Sequence, residues 1–264
     1  MNPSPTFKKR VLAREWVTGT FINLGSPVTT EIAASSGLDW ILIDHEHGSG
    51  GEDTLFNQLR ATGGGSAVPI VRIPANDGWR FKRVLDAGAH GVMVPLVNTA
   101  DEARAAAKAM HYPPRGVRGI AKFQRGAAFG THFDEYFKHA HERLLLIAQI
   151  ETPTAVANIE EIAAVDGVDV LFVGPTDLTY NLGVPDQFDH PDYVAAQKRV
   201  AAAAKAAGKA AGILVLNPAL VPATRDLGFT FIALGSDGGS VRSGLLSVVE
   251  TLRKAAPGAL SPNK

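Results

Sequence analysis

Cysteine is absent from the 264-residue chain, which excludes thiol catalysis, zinc–thiolate sites and disulfides. An excess of either charge is also missing, since 26 Lys and Arg balance 26 Asp and Glu. Without a basic field the chain is expected to bind neither nucleic acid nor an anionic membrane, and small molecules are the expected partners. No apolar run approaches the length of a membrane span, and the opening MNPSPTFKKRVLAREW has no apolar signal core. A protein of the reducing cytoplasm is expected.

What is present is a core-forming composition, 45% hydrophobic, patterned as strand and helix in alternation. The stretch from Leu144 to Asp177 shows the pattern best. LLLIAQIE and DVLFVGPTD are β-prone runs that each end in an acid, Glu151 and Asp177. Between them TPTAVANIEEIAAVDGV reads as one helix, with Thr152 as cap and Pro153 in its first turn. A β-α-β unit makes neighbouring parallel strands, so both carboxylates are placed at the strand ends where α/β folds keep their chemistry. Two adjacent acids repel unless a cation or a proton lies between them, which points to a divalent metal.

The same reading gives strands at Gly19–Leu24, Trp40–Asp44, Pro69–Pro74, Gly91–Val97, Ala210–Leu216 and Phe231–Asp237, with helices between them. Several strands are unbroken apolar runs, as strands covered on both faces are. Eight units over the chain predict a single (β/α)8 barrel spanning 1–264, with a doubly wound open sheet as the fallback. A polar N-terminal tail precedes it, and a long, irregular loop is expected at about 111–143, partly helical after Thr131. The aromatics Phe123, Phe129, Phe133, Tyr136 and Phe137 predict that this loop is ordered and packs.

In a barrel the polar residues at strand ends converge on one mouth: Asn23, Asp44 to His47, Arg72, Gln149, Glu151, Asp177, Asn217, Ser236 and Asp237. Strict alternation puts Asp44 with Glu46 and His45 with His47. A turn after Asp44, through Gly48-Ser49-Gly50-Gly51, would let Asp44 orient the His47 ring as a base. The alternative for His47 is a third metal ligand, and for His45 a packed or solvated ring. Arg72 suits a carboxylate or a developing enolate oxygen. Backbone N–H groups at Gly174-Pro175-Thr176 suit a carboxylate, and Leu216, at the end of the seventh strand, is a further substrate-binding candidate. No lysine ends a strand, so Schiff-base chemistry is not expected.

DWILIDHEH, PIVRIPANDGWRFKRVLDAGAHGVMVPLV, YPPRGVRG, QIETPTAVANIEEI, GVDVLFVGPTDL and the final GSD stand in one order along nearly the entire chain. In these motifs the sequence resembles the metal-dependent class II pyruvate aldolases of the HpcH/HpaI family, which cleave 4-hydroxy-2-oxoheptanedioate and 2-keto-3-deoxy sugar acids. The resemblance implies Glu151 and Asp177 as ligands of a magnesium, manganese or cobalt ion, and Asp44 and His47 as the base pair. It implies that Arg72 holds the keto oxygen, that Gln149 lines the mouth, and that Gly174 to Thr176 receive the carboxylate of the 2-keto acid. Asp86 would reach a neighbouring subunit's site. A homo-hexamer, a dimer of trimers exchanging the last helix, is implied as well. His45 departs from the pattern, where relatives commonly carry a small residue. Two other readings stand beside this one: an acyl-CoA lyase of the citrate/malyl-CoA lyase type, and a non-catalytic barrel that binds metal or 2-keto acids.

Overall fold

The structure is a computed structural model that describes residues 5–255. Eight parallel strands close in sequence order into a barrel. They are β1 (Val17–Ile22), β2 (Trp40–Asp44), β3 (Val68–Arg72), β4 (Gly91–Val94), β5 (Leu145–Ile150), β6 (Val170–Val173), β7 (Ala210–Val215) and β8 (Phe231–Ser236). The (β/α)8 expectation is borne out. The helices between them are α1 (Pro5–Leu12), α2 (Pro27–Ala34), α3 (Glu52–Ala61), α4 (Gly78–Asp86), α5 (Ala100–Met110), α6 (Phe133–Arg143), α7 (Pro153–Ala157), α8 (Ile159–Ala163), α9 (Pro175–Asn181), α10 (Pro191–Ala206), α11 (Val221–Asp226) and α12 (Asp237–Ala255). No helix is long and apolar enough to cross a membrane among the described residues.

Strand alternation sorts the core into two shells. Trp40, Leu42, Ile70, Leu145, Ile147, Phe172 and Phe231 fill the barrel interior, while Ile43, Val71, Leu146, Ala148, Leu171 and Ile213 meet the helices outside. Inside, Trp40 stacks on Phe231 at 4.1 Å and meets Phe172 edge-on at 6.5 Å. Such large rings fit because a neighbouring strand offers no side chain: a Cβ on Gly19 would lie 2.4 Å from the Trp40 ring. Phe7 and Val11 of α1 join the same interior cluster and close its N-terminal end. The alternation also fixes the mouth. Continuing the inward parity past Leu42, Ile70 and Ile147 brings Asp44, Arg72, Gln149 and then Glu151 to the C-terminal rim.

The helices differ from the sequence reading in three places. The crossover after β5 is two short helices broken at Asn158, not one, because Asn158 leaves helical geometry at φ −97° and ψ 13° and donates to the Asn98 carbonyl at 2.9 Å. The segment beginning at Pro175 is a helix in its own right. The last helix starts at Asp237, which the expected strand Phe231–Asp237 had claimed, and the tail before Pro5 lies outside the described residues.

The 111–143 connection is ordered, with a 3₁₀ segment at Arg125–Gly130 and then α6. Tyr112 stacks on Phe137 at 4.7 Å, and Phe133 lies 5.6 Å from Phe137. The expectation that all five aromatics pack is corrected for two of them, since Phe123 and Phe129 are 80% and 66% exposed. Burial in this loop centres on Arg118 instead, whose guanidinium pairs with Asp86 at 2.7 Å and lies 4.4 Å from the Tyr112 ring. Burial lowers and its ring and carboxylate neighbours raise the Arg118 pKa, and the neighbours win.

Candidate active site

Asp44 and Arg72 are register partners on β2 and β3, and their side chains meet at the rim. Arg72 donates from Nε to Asp44 Oδ1 at 2.9 Å and from Nη2 to Oδ2 at 2.7 Å, a bidentate fork. Its Nη1 is 3.0 Å from Glu46 Oε2 and 3.5 Å from Gln149 Oε1. Gln149 in turn donates to Glu151 Oε2. Asp44, Arg72, Gln149 and Glu151 are all buried, so these groups form one continuous chain of polar contacts across three strands, shielded from bulk water.

Glu151 is held from several sides. The Leu96 amide donates to its Oε1 at 2.7 Å, which requires Leu96 to adopt φ 53°, a left-handed conformation costly for a branched side chain. The Asn181 side chain of α9 donates to the Glu151 carbonyl at 3.1 Å. Gly174 packs so closely that a Cβ there would sit 2.5 Å from Glu151 Oε2, so a glycine is required at the start of α9.

The electrostatics divide the carboxylates into two kinds. Burial pushes Asp44 up, but the Arg72 hydrogen bonds and charge outweigh it and hold Asp44 below the usual carboxylate range. Glu151 is pushed up to about 7, by burial first and then by the charges of Asp177 and Glu46. Glu46 is raised too, by burial and by Asp44 and Asp177, against Arg72 and His47. The rim therefore carries more carboxylate than its one buried arginine neutralises. No three-residue cluster of His, Cys, Asp and Glu capable of holding a metal occurs among the described residues. A pair of carboxylates with unfilled charge nevertheless suits a hard divalent cation that keeps most of its positions for water or substrate oxygen.

The expected orientation of the His47 ring by Asp44 is corrected. Asp44 Oδ1 accepts from the backbone amides of Glu46 and His47, at 3.1 and 3.3 Å, and its oxygens are otherwise occupied by Arg72. The turn does form, helped by Gly48, where a Cβ would be 2.1 Å from the Asp44 carbonyl. It swings the His47 ring outward, 68% exposed, with Nε2 3.8 Å from Glu46 Oε2. Glu46, given no particular role by the sequence reading, is thus the acid shared by Arg72 and His47. Its parity with Asp44 was the available signal. His45 faces the other way, half-buried toward α3, where burial lowers its pKa and its Nε2 has no partner.

Other sequence candidates separate from this network. Asp86 pairs with Arg118 within its own chain. Asp177 is exposed at the head of α9 and outside the hydrogen-bonded chain, but close enough for its charge to raise both Glu151 and Glu46. Of the Gly174 to Thr176 amides, Gly174 donates to the Ile150 carbonyl at 3.3 Å and Pro175 has no N–H, so only Thr176 in that trio can serve a substrate carboxylate. Leu216 is 47% exposed just past β7 and shares an apolar cavity of about 370 Å³ with Pro175. Asp237 is engaged in structure, accepting from the amides of Asn23, Leu24 and Gly238 and from the Thr29 hydroxyl. Asn217 and Ser236 likewise cap their own turns.

Known proteins resemble this chain over the whole barrel. The HpcH/HpaI aldolase/citrate lyase family matches residues 17–244. A hydroxypyruvate/pyruvate aldolase of Agrobacterium fabrum is 40% identical over 236 residues, 89% of this chain and 88% of that protein. A 5-keto-4-deoxy-D-glucarate aldolase of Salmonella paratyphi C is 39% identical over 248 residues, 94% of this chain and 96% of the relative. The crystal structure of a family protein from Burkholderia cenocepacia superposes with a TM-score of 0.90 at 36% identity, covering 95% of this chain and all of that one. The chain belongs to the HpcH/HpaI aldolase/citrate lyase family and is an enzyme of the aldolase type.

Proposed function

We propose that this chain catalyses metal-dependent cleavage of 4-hydroxy-2-keto acids to pyruvate and an aldehyde, and the reverse addition. The observation that carries the reading is the buried chain from Asp44 through Arg72 and Gln149 to Glu151, which faces a surplus of carboxylate at the barrel mouth. The names of the two aldolase relatives support a 2-keto acid product and a sugar-acid-like substrate.

Glu151 and Asp177 would hold magnesium, manganese or cobalt. Such an ion, when bound, supplies Lewis-acid charge to a 2-keto acid. Arg72 is locked in place by Asp44 and Glu46, so its guanidinium is preorganised for the 2-oxo group, whose oxygen gains negative charge as the C3–C4 bond breaks. Gln149 fixes the distance between Arg72 and Glu151. The Thr176 amide takes the substrate carboxylate. His47, exposed at the rim and paired through Glu46, removes the C4 hydroxyl proton as the aldehyde leaves. It returns a proton to C3 of the three-carbon product.

Assembly into a homo-oligomer, as a hexamer built from two trimers, belongs to the same proposal. The support is α12, whose Val241, Leu245, Val248 and Leu252 are 46–62% exposed along a helix whose only buried residue is Asp237. A cytoplasmic location is part of the proposal as well.

The decisive experiment measures pyruvate release from a 2-keto-3-deoxy sugar acid and from 4-hydroxy-2-oxoheptanedioate. It compares metal-stripped enzyme, enzyme with added manganese or magnesium, and a Glu151→Ala variant. Metal-dependent release that vanishes in the variant is expected. Release that persists without metal would overturn the metal-dependent reading.

A further inference from the structure

A second large cavity, of about 1160 Å³, opens at the opposite end of the barrel from Glu151. It lies where α1, the end of α5, α6 and the turns leading into β6 and β7 meet. Its walls are small and apolar, with Ala107, Ala163 and Ala206 among them, and its chemistry comes from cations. Internal pairing accounts for the buried or bridged charges: Lys8 is 2.9 Å from Asp169, and Glu160 is taken by Arg199 at 2.8 Å. Lys108 and Arg115 remain, with side chains that make no hydrogen bond or ion pair among the described residues. Lys209 adds a largely buried ammonium that donates to the Val165 carbonyl.

Two histidines complete the cluster. The Nδ1 of His111 is buried without a partner, and His141 lines the same space. Burial first, then the charges of Lys8, His141 and Arg115, force His111 down to about 4, with Asp166 the one acid opposing them. Burial likewise takes Lys209 down to about 8, against the charges of Asp169 and Asp166. With Lys8, Arg104, Glu160 and Asp169 paired off, Lys108, Arg115 and Lys209 share the space with Asp166 as its one acid outside an ion pair among the described residues. An isolated surface lysine would not create that arrangement. Apart from the histidines the cavity presents no aromatic ring on which a nucleobase would stack, while the Arg115 fork and the lysines suit tetrahedral oxyanions.

We infer that this cavity, gathered around Lys108, Arg115, His111 and Lys209, binds a small, non-aromatic, multiply charged phosphate compound remote from the aldolase mouth. Such an anion would sit between side chains of α5, the loop after it and the turn before β7, and would tie these elements together. The inference does not depend on the reaction proposed above, since none of these residues takes part in it.

The test is isothermal titration calorimetry on the metal-free full chain at low salt, with inorganic phosphate, pyrophosphate and glycerol 3-phosphate in separate titrations. Saturable binding tighter than about 1 mM is expected for at least one of them. Preference for the bare anions would identify an inorganic ligand, and preference for the ester a phosphorylated metabolite. In a Lys108→Ala/Arg115→Ala variant, whose exposed positions leave the fold intact by circular dichroism, the affinity should fall at least tenfold. Arg72→Ala, at the other end of the barrel, should bind as the parent does. Absence of saturable binding, undiminished affinity in the double variant, or loss of binding in Arg72→Ala would each overturn the assignment. Lys209→Met provides a further check, with weaker binding expected.

Discussion

Replacing Glu151 with Gln in the metal-free protein isolates the charge surplus at the mouth. The substitution keeps the shape and the acceptor for the Leu96 amide, and the Gln149 amide can rotate to match by giving up its 3.5 Å contact with Arg72. In the folded chain Glu151 titrates near 7 against an ordinary 4.5. Ionising it inside the fold therefore costs about 3 kcal/mol. The sign follows from proton linkage: between pH 4.5 and 7 the folded state holds a proton that the unfolded state has lost, so wild-type stability falls as pH rises through that window. The Gln variant has no such loss. The variant should match wild type near pH 4.5 and exceed it by about 3 kcal/mol at pH 8, equivalent to a melting temperature higher by about 6–12 °C. Saturating manganese at pH 8 should raise the wild-type melting temperature and leave the variant's unchanged. Thermal unfolding followed by circular dichroism at several pH values reads this directly. A stability difference that does not change with pH would refute the electrostatic account of Glu151, and equal stabilisation of both proteins by manganese would refute Glu151 as its ligand.

Arg72→Lys should lower kcat about 100-fold in a coupled pyruvate assay, because an ammonium cannot fork across Asp44 and still reach Glu46. His47→Ala should lower kcat by about 10²–10⁴ while leaving the melting temperature unchanged, since the ring is 68% exposed. In Gly174→Ala the new Cβ would fall 2.5 Å from Glu151 Oε2, so manganese affinity measured by calorimetry should fall and stability should drop by about 1–3 kcal/mol. Leu245→Glu with Leu252→Glu on α12 should reduce the particle mass in light scattering, because both side chains are more than half exposed on an uncovered apolar face.

The barrel and much of its mouth were legible because both depend on the two-residue period of a strand. Trp40, Leu42 and then Asp44 point inward for one reason, as do Ile70 and Arg72, and Ile147, Gln149 and Glu151. Where the chain leaves a strand, the period stops giving information. That is why the Asp44–His47 contact resolved into backbone bonds, and why Asn217, Ser236 and Asp237 became caps and loop clamps although they stand at strand ends like the others. Leu96 is the clearest case. Nothing about a leucine after a proline signals that its amide will be turned by a positive φ toward a glutamate 55 positions away.

The same distinction explains how the mouth assigns its charges. Asp44 and Arg72 face each other at fixed register on adjacent strands, so their mutual orientation is built in and the guanidinium is in place before any ligand arrives. Glu151 is the opposite case. Its backbone lies just beyond β5, its carboxylate is fixed by a loop amide and a glutamine, and the nearest cation is already committed to Asp44 and Glu46. A carboxylate buried, oriented and left uncompensated is one whose ionisation waits on something that arrives. Repulsion from Asp177 and Glu46 enlarges that dependence, because an arriving cation relieves all three acids at once. The energy stored in Glu151 is therefore returned on binding, which makes the position where charge is least balanced in the free protein the position where a divalent ion is held most tightly.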